Sequence, residues 1–236
     1  AYEAGFSGFF FFFFLLKNGI NNIVVHAASV EISSRDRVKT DKRDALKIAT
    51  QLSVQRLKGI YVPSIEREAK RNITRLRGSF WKLRQSVGAR LKSLLFTQGL
   101  IDGTDDTRLS KKWITEKLIE MEENKYASEF YYSVRMYAEE WDHLTEKIKE
   151  IEEQFKIQAK EESDWHTIYM SFPGIGLIHA RQLNNELGDM SQFQNEKQLF
   201  SSTGLTPSEY SSGEHIRQGH ISRQGNPLIR KILVEA

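Results

Sequence analysis

From Ser64 to Leu100 the apolar positions Ile73, Leu76, Phe80, Leu83, Val87 and Leu94 advance by threes, fours and sevens, with the row broken at Arg90. Tyr137, Trp141, Leu144, Ile148, Ile151 and Phe155 repeat that step further along. Such spacing lines one face of an α-helix, so it predicts two long amphipathic helices. Their matching lengths predict that they pair, as a coiled-coil hairpin or between subunits, with Leu83 and Leu144 in the apolar seam. The polar stretch "DGTDDTRLSKK" and a further helix from about Trp113 connect them.

The pattern differs on either side of this helical segment. "FFFFFFLLKNG" is a helix stopped at Asn-Gly, "INNIVVHAA" a short β-branched strand, "DALKIATQLSVQR" a helix and "KGIYVP" a strand closed by Pro63. That alternation is α/β patterning, enough for the later half of such a domain. The run Phe9 to Leu16 is far shorter than the roughly twenty residues needed to cross a bilayer, which predicts a buried helix and no membrane partner. After Ser163, "FPGIG" reads as a turn between helices and "SSTGLTPSEYSSGEHIRQGHISRQGNP" as a glycine- and serine-rich loop feeding a last helix. The expected fold is therefore α/β plus α, with domains at 1–62, 63–162 and 163–236. The chain opens on "AYEAGFSG" without methionine and stops inside "IRKILVEA", which reads as a fragment.

Charge sharpens this division. The 236 residues carry a net charge of only +3, but nine Lys or Arg face two Glu between Pro63 and Leu100, and ten acidic residues face five basic ones between Glu129 and Glu162. A basic face for nucleic acid beside an acidic helix accounts for the segregation, and so do two helices that neutralise each other. Cysteine is absent, which removes disulfides and thiolate-held zinc and fits a reducing cytoplasm.

Three groups of residues could carry chemistry. "DRVKTDKRDALKIATQL" sets Asp41 and Asp44 three apart, on one face of a helix starting near Thr40, among Arg35, Arg37, Lys39, Lys42 and Arg43. Two carboxylates so placed can share a divalent metal, with Glu3 of "YEAG" as a third hard oxygen ligand. Thr40 or Asp41 capping the helix explains the same residues. Ser211-Ser212-Gly213 would expose a hydroxyl to attack on phosphorus, or be only a turn. "RQGHISRQGNPLIRK" gathers Arg217, His220, Arg223, Arg230 and Lys231, a phosphate clamp or a solvated basic face. Gly174 and Gly176 of "PGIG" could offer backbone amides to a phosphate, as in a helix-hairpin-helix. There is no Walker A loop, dinucleotide-binding glycine motif or HExxH.

Taken in order, "YEAG", "DRVKTDKRDA", a long helical insert, "PGIG", "GLTPSEYSSG" and "GHISRQGNPLIRKIL" resemble the DEDD-type insertion-sequence transposases, the family one-ten group that includes the pilin-gene DNA invertases. The resemblance implies a partial RuvC-like, RNase H-fold domain, a coiled-coil insert and a helical, serine-bearing transposase domain with a helix-hairpin-helix. It implies Mg²⁺ (or Mn²⁺) held by Glu3, Asp41 and Asp44, and Ser212 as DNA nucleophile with Ser211 in reserve. A first aspartate is implied upstream of Glu3, outside this sequence, so the expected metal set is incomplete and the fragment is expected to be inactive alone. DNA, a structured guide RNA and further copies of the chain are the implied partners. Arg37, Lys39, Lys42, Arg43, Gly174, Gly176, Arg217, Arg223 and Arg230 would hold the nucleic acid. The serine and the acids fall in different domains, which implies a composite site. A RuvC-like nuclease using metal-activated water, or a non-catalytic nucleic-acid-binding module, would use the same residues differently.

Overall fold

The structure is a computed structural model that describes residues 1–5, 7–30, 40–103, 108–213 and 215–236. It comprises two compact units, Ala1–Ile65 and Glu66–Ala236. None of the described helices is long and apolar enough to cross a membrane.

In the first unit, β1 (Tyr2–Glu3) leads through α1 (Phe10–Lys17) to β2 (Val24–Val25), and the two strands pair in parallel with Tyr2 opposite Val24 and Glu3 opposite Val25. Gly59 adds a single antiparallel bridge to Val25, and Ile60 N–H donates to the Val24 carbonyl at 2.8 Å. The strand expected at "KGIYVP" is thus reduced to one bridge. Helix α2 (Asp41–Ser53) follows.

The phenylalanine helix departs from expectation. It forms, but it is not buried: Phe10 is 75% exposed, and Phe11, Phe14 and Leu16 are exposed as well. A helix apolar on every face needs cover all round, whereas Tyr2 meets it on one side only, with its ring 5.2 Å from that of Phe11 and its hydroxyl accepting from Phe12 N–H.

The second unit runs α3 (Ile65–Thr97), α4 (Lys111–Glu123), α5 (Ser128–Glu161), α6 (Ser163–Met170), α7 (Leu177–Leu187), α8 (Glu196–Thr203), β3 (Pro207–Glu209), β4 (Gln218–Ile221) and α9 (Pro227–Glu235). Helices α3 and α5 are the two long helices, and they pair antiparallel: Lys70 reaches Glu162, Arg77 reaches Glu152 at 2.5 Å, and Arg84 lies over the Trp141 ring at 5.8 Å. On α5 the expected row is buried, with Trp141, Leu144, Ile148, Ile151 and Phe155 all inside.

On α3 the expected row holds only in part: Ile73, Phe80, Val87 and Leu94 are half-buried, with Val87 and Leu94 packed against a core, but the deepest stripe lies one residue further on. Leu76 and Leu83 are 44% and 51% exposed, and the inward positions are Thr74, Arg77, Arg84, Gly88, Leu91 and Leu95. Those six also keep a three-four-seven spacing, but four of them are polar or glycine, so hydropathy alone selects the neighbouring stripe. Gly88 allows close approach: a Cβ there would meet Leu109 Cδ1 at 2.6 Å and Trp141 Cδ1 at 3.4 Å.

Two cores result. Leu91, Leu95, Leu100, Ile114, Met121, Val134 and Trp141 join α3, α4 and α5; Tyr169, Ile175, Ala180, Leu183, Ile229 and Ile232 join α6, α7 and α9. Between the long helices and the second core lies α7, whose residues Ala180 to Leu187 are all buried, including Arg181, Gln182, Asn184, Asn185 and Glu186. Glu186 meets Arg71 at 3.2 Å, Arg75 at 3.1 Å and Asn226 Nδ2 at 2.6 Å. Arg181 donates to Glu162 at 2.7 Å and to Asn185 Oδ1 at 2.6 Å, and Asn185 donates to Thr74 Oγ1 at 3.0 Å. Burial alone would raise the Glu162 pKa, but Lys70 and Arg181 outweigh it and hold the carboxyl down at about 2.

Two measurements check this packing. Leu91→Ala should cost about 2–5 kcal/mol in urea unfolding, and Leu83→Ala less than about 1 kcal/mol; equal losses would return the seam to the Leu83 row. The folded value of Glu162 lies below its ordinary 4.5, so its contribution is complete above about pH 4.5 and disappears as pH falls toward about 2. After allowance for partial solvent screening it amounts to about 2 kcal/mol. Glu162→Gln should therefore flatten that acid limb, and an unchanged limb would show that other carboxylates cause it.

Candidate functional site

In the first unit, β1 and one face of α2 enclose a cleft of about 550 Å³ lined by Glu3, Asp41, Asp44, Ile48 and Leu52 among others. The helix begins where Thr40 caps it, its hydroxyl accepting from Arg43 N–H at 3.4 Å, so capping is done by Thr40 and the two aspartates occupy the first turn. There they also favour the positive end of the helix dipole. Asp44 pairs with Lys47 at 3.5 Å. Among the described residues no three His, Cys, Asp or Glu are close enough to hold one ion. The donor chemistry suits a hard divalent cation, and three carboxylates share the cleft without forming a closed set of ligands. Lys42 and Arg43 are exposed on the same helix turn, whereas Arg35, Arg37 and Lys39 lie outside the described residues.

In the second unit, β3 and β4 form an antiparallel hairpin, with Pro207 opposite Ile221 and Glu209 opposite Gln218. Toward its tip, Ser212 and His215 exchange both backbone hydrogen bonds at 3.2 Å. Gly213 makes this turn at φ +60, and a Cβ there would meet nothing within 4 Å. The two serines differ. Ser211 Oγ donates to Glu209 Oε1 at 2.7 Å and accepts from Arg217 N–H at 3.1 Å, whereas the exposed Ser212 hydroxyl has no partner among the described residues. Arg217, His220 and Arg223 are exposed on the same hairpin and the strand end that follows it.

The remaining expected contacts are more structural in character. Arg230 donates to the Thr203 carbonyl at 3.2 Å and presses against Gly204. Gly174 has φ +80 and lies against the backbone of Ala236, with no room for a side chain. Gly176 starts α7 in the open and, with Glu152 and Lys156, lines a groove of about 430 Å³. His215 escaped the sequence reading, because only the hairpin register puts it opposite Ser212. Ser212 and His215 are a hydrogen-bonded antiparallel pair, whose side chains leave the ladder on one face.

Comparison with known proteins gives this hairpin a context. Residues 166–236 match the Transposase IS116/IS110/IS902 family. The matched segment includes α7, the hairpin and α9. The chain is 31% identical to the transposase for insertion sequence element IS1533 of Leptospira borgpetersenii, over 82% of this chain and 56% of that protein. It is 26% identical to the transposase for insertion sequence element IS1111A of Coxiella burnetii, over 83% and 53%. With the y4qE protein of Sinorhizobium fredii it shares 26% identity over 99% of this chain and 56% of that protein. These similarities are to transposases. The chain spans about half the length of the curated relatives it matches.

Proposed function

We propose that the protein is a DNA transposase or site-specific recombinase in which Ser212 is the nucleophile. The observation that carries this reading is the contrast between the serines within the transposase-matched segment: Ser211 is held by Glu209 and Arg217, and Ser212 stands exposed beside an unobstructed Gly213. Attack by Ser212 Oγ on a DNA phosphorus forms an Oγ–P bond and breaks one P–O bond of the strand. The serine proton leaves to a base, and the departing DNA oxygen takes up a proton. A DNA hydroxyl attacking the phosphoserine then reseals a strand and frees Ser212. Arg217 and Arg223 supply positive charge along the same exposed element for the phosphate.

The acidic cleft enters as a second part of the reading. Glu3, Asp41 and Asp44 would hold Mg²⁺ or Mn²⁺, with a further ligand required to close the set; such an ion, when bound, offsets negative charge on phosphate oxygens. The resemblance to family one-ten transposases adds a RuvC-like first domain, a coiled-coil insert, a helix-hairpin-helix at Gly174 and Gly176, a structured guide RNA and a homo-oligomer. The antiparallel α3–α5 pair and the turn between α6 and α7 are compatible with that architecture.

Two experiments test these parts separately. With a nicked DNA substrate that traps the intermediate, denaturing gels should show a protein–DNA adduct that Ser212→Ala abolishes and that Ser211→Ala and Ser222→Ala retain. An adduct in Ser212→Ala moves the nucleophile elsewhere, and cleavage without any adduct favours water as the attacking group. Mn²⁺ binding followed by electron paramagnetic resonance should weaken at least about tenfold in Asp41→Asn/Asp44→Asn, which loses two anionic donors. Equal affinity in that variant leaves the aspartates as helix-start residues only.

A further inference from the structure

A second cleft in the second unit belongs neither to the hairpin nor to the acidic face. It has a volume of about 720 Å³ and lies between α3, α5 and the segment entering α4. Five cations line it, Arg84, Lys92, Arg108, Lys111 and Lys149, against two carboxylates, Asp142 and Glu146. Both carboxylates are already matched inside the cleft, Asp142 by Lys111 at 2.8 Å and Glu146 by Lys149 at 2.8 Å. Among the described residues the wall therefore carries a surplus of positive charge.

Arg84 gives that surplus a direction. Its Nε is shielded from solvent and has no hydrogen-bond partner among the described residues. The guanidinium carbon lies 5.8 Å from the centroid of the Trp141 ring, a contact that satisfies no N–H. Burial, with Arg77 and Arg108 close by, pushes the Arg84 pKa below its ordinary value against the opposing attraction of Glu152. A buried N–H donor without an acceptor is destabilising, so such a group is best explained by an acceptor that arrives with a ligand. The indole of Trp81 stands in the same wall, with Lys231 Nζ 4.7 Å from its centroid.

We infer that this cleft binds the phosphate backbone of a single-stranded nucleic-acid segment, with the half-buried Arg84 and the exposed Arg108 of its wall as the phosphate ligands. Guanidinium forks match phosphate oxygens, and clustered cations beside indoles are the usual composition of a single-strand groove. A recess of this volume takes one or two nucleotides, as small-molecule pockets of similar size do. The cleft is separate in residues from the Ser212 hairpin, so its occupancy does not depend on strand cleavage.

The test measures anisotropy of a labelled oligonucleotide of about six nucleotides, in a Ser212→Ala background where no adduct can form. Arg108→Gln should weaken binding about tenfold and lower the salt dependence by about one counterion; Arg84→Gln/Arg108→Gln should weaken it further. Lys147→Gln, on the adjacent turn of α5 but outside the cleft, should change neither beyond a small uniform loss. Circular dichroism monitors folding, and if Arg84→Gln unfolds the chain, the exposed Arg108→Gln decides alone. Unchanged affinity and salt slope in Arg108→Gln would overturn the inference. Competition by inorganic phosphate at the same concentration as the strand would overturn the nucleic-acid assignment in favour of a free anion.

Discussion

The second unit depends on the pairing of charge buried along α7. Glu186 has a side chain only 1% exposed and sits among Arg71, Arg75 and Asn226, while the fully buried Arg181 is answered by Glu162 and Asn185. Each ion would be strongly destabilising without its partners, since removing one member of a buried pair costs on the order of 3–5 kcal/mol. The geometry is therefore all or nothing: α3, the end of α5, α7 and the start of α9 have to meet in one arrangement. This is a constraint of specificity, because an apolar α7 could slide along the long helices whereas these hydrogen bonds fix its register.

That anchoring continues to the base of the hairpin. Asn226, which caps α9 through Leu228 N–H at 2.9 Å, also reaches Glu186, and Arg230 on the same helix ties to the carbonyl of Thr203 at the end of α8. Gly225 and Gly204 let these backbones approach more closely than any side chain would allow. The base is thus held by buried polar contacts, and the tip with Ser212, Tyr210 and Ile216 stays exposed.

The first unit is different in kind. Its core among the described residues amounts to Val24 and Val25 with a few flanking contacts, and α1 leaves several phenylalanines exposed. What it positions well is the acidic face, because β1 runs beside the first turn of α2. Two aspartates three residues apart are adjacent on any helix, but Glu3 joins their cleft only because the parallel β1–β2 pairing places it there.

Periodicity alone was sufficient for both long helices and for the buried row on α5, since apolar residues at every third and fourth position have one way to face a core; the cap, open between Thr40 and Asp41 in the sequence, falls to Thr40 in the structure. It was insufficient on α3, where the inward row carries a threonine, two arginines and a glycine whose burial depends on partners such as Glu152, Trp141 and Asn185 far along the chain. The same limit applies at the candidate nucleophile. Sequence presents Ser211 and Ser212 as neighbours beside a glycine, chemically alike. Only the tertiary structure separates them, because hairpin register turns one hydroxyl toward Glu209 and Arg217 and leaves the other without a partner among the described residues, and register is a property of paired strands that neither residue carries by itself.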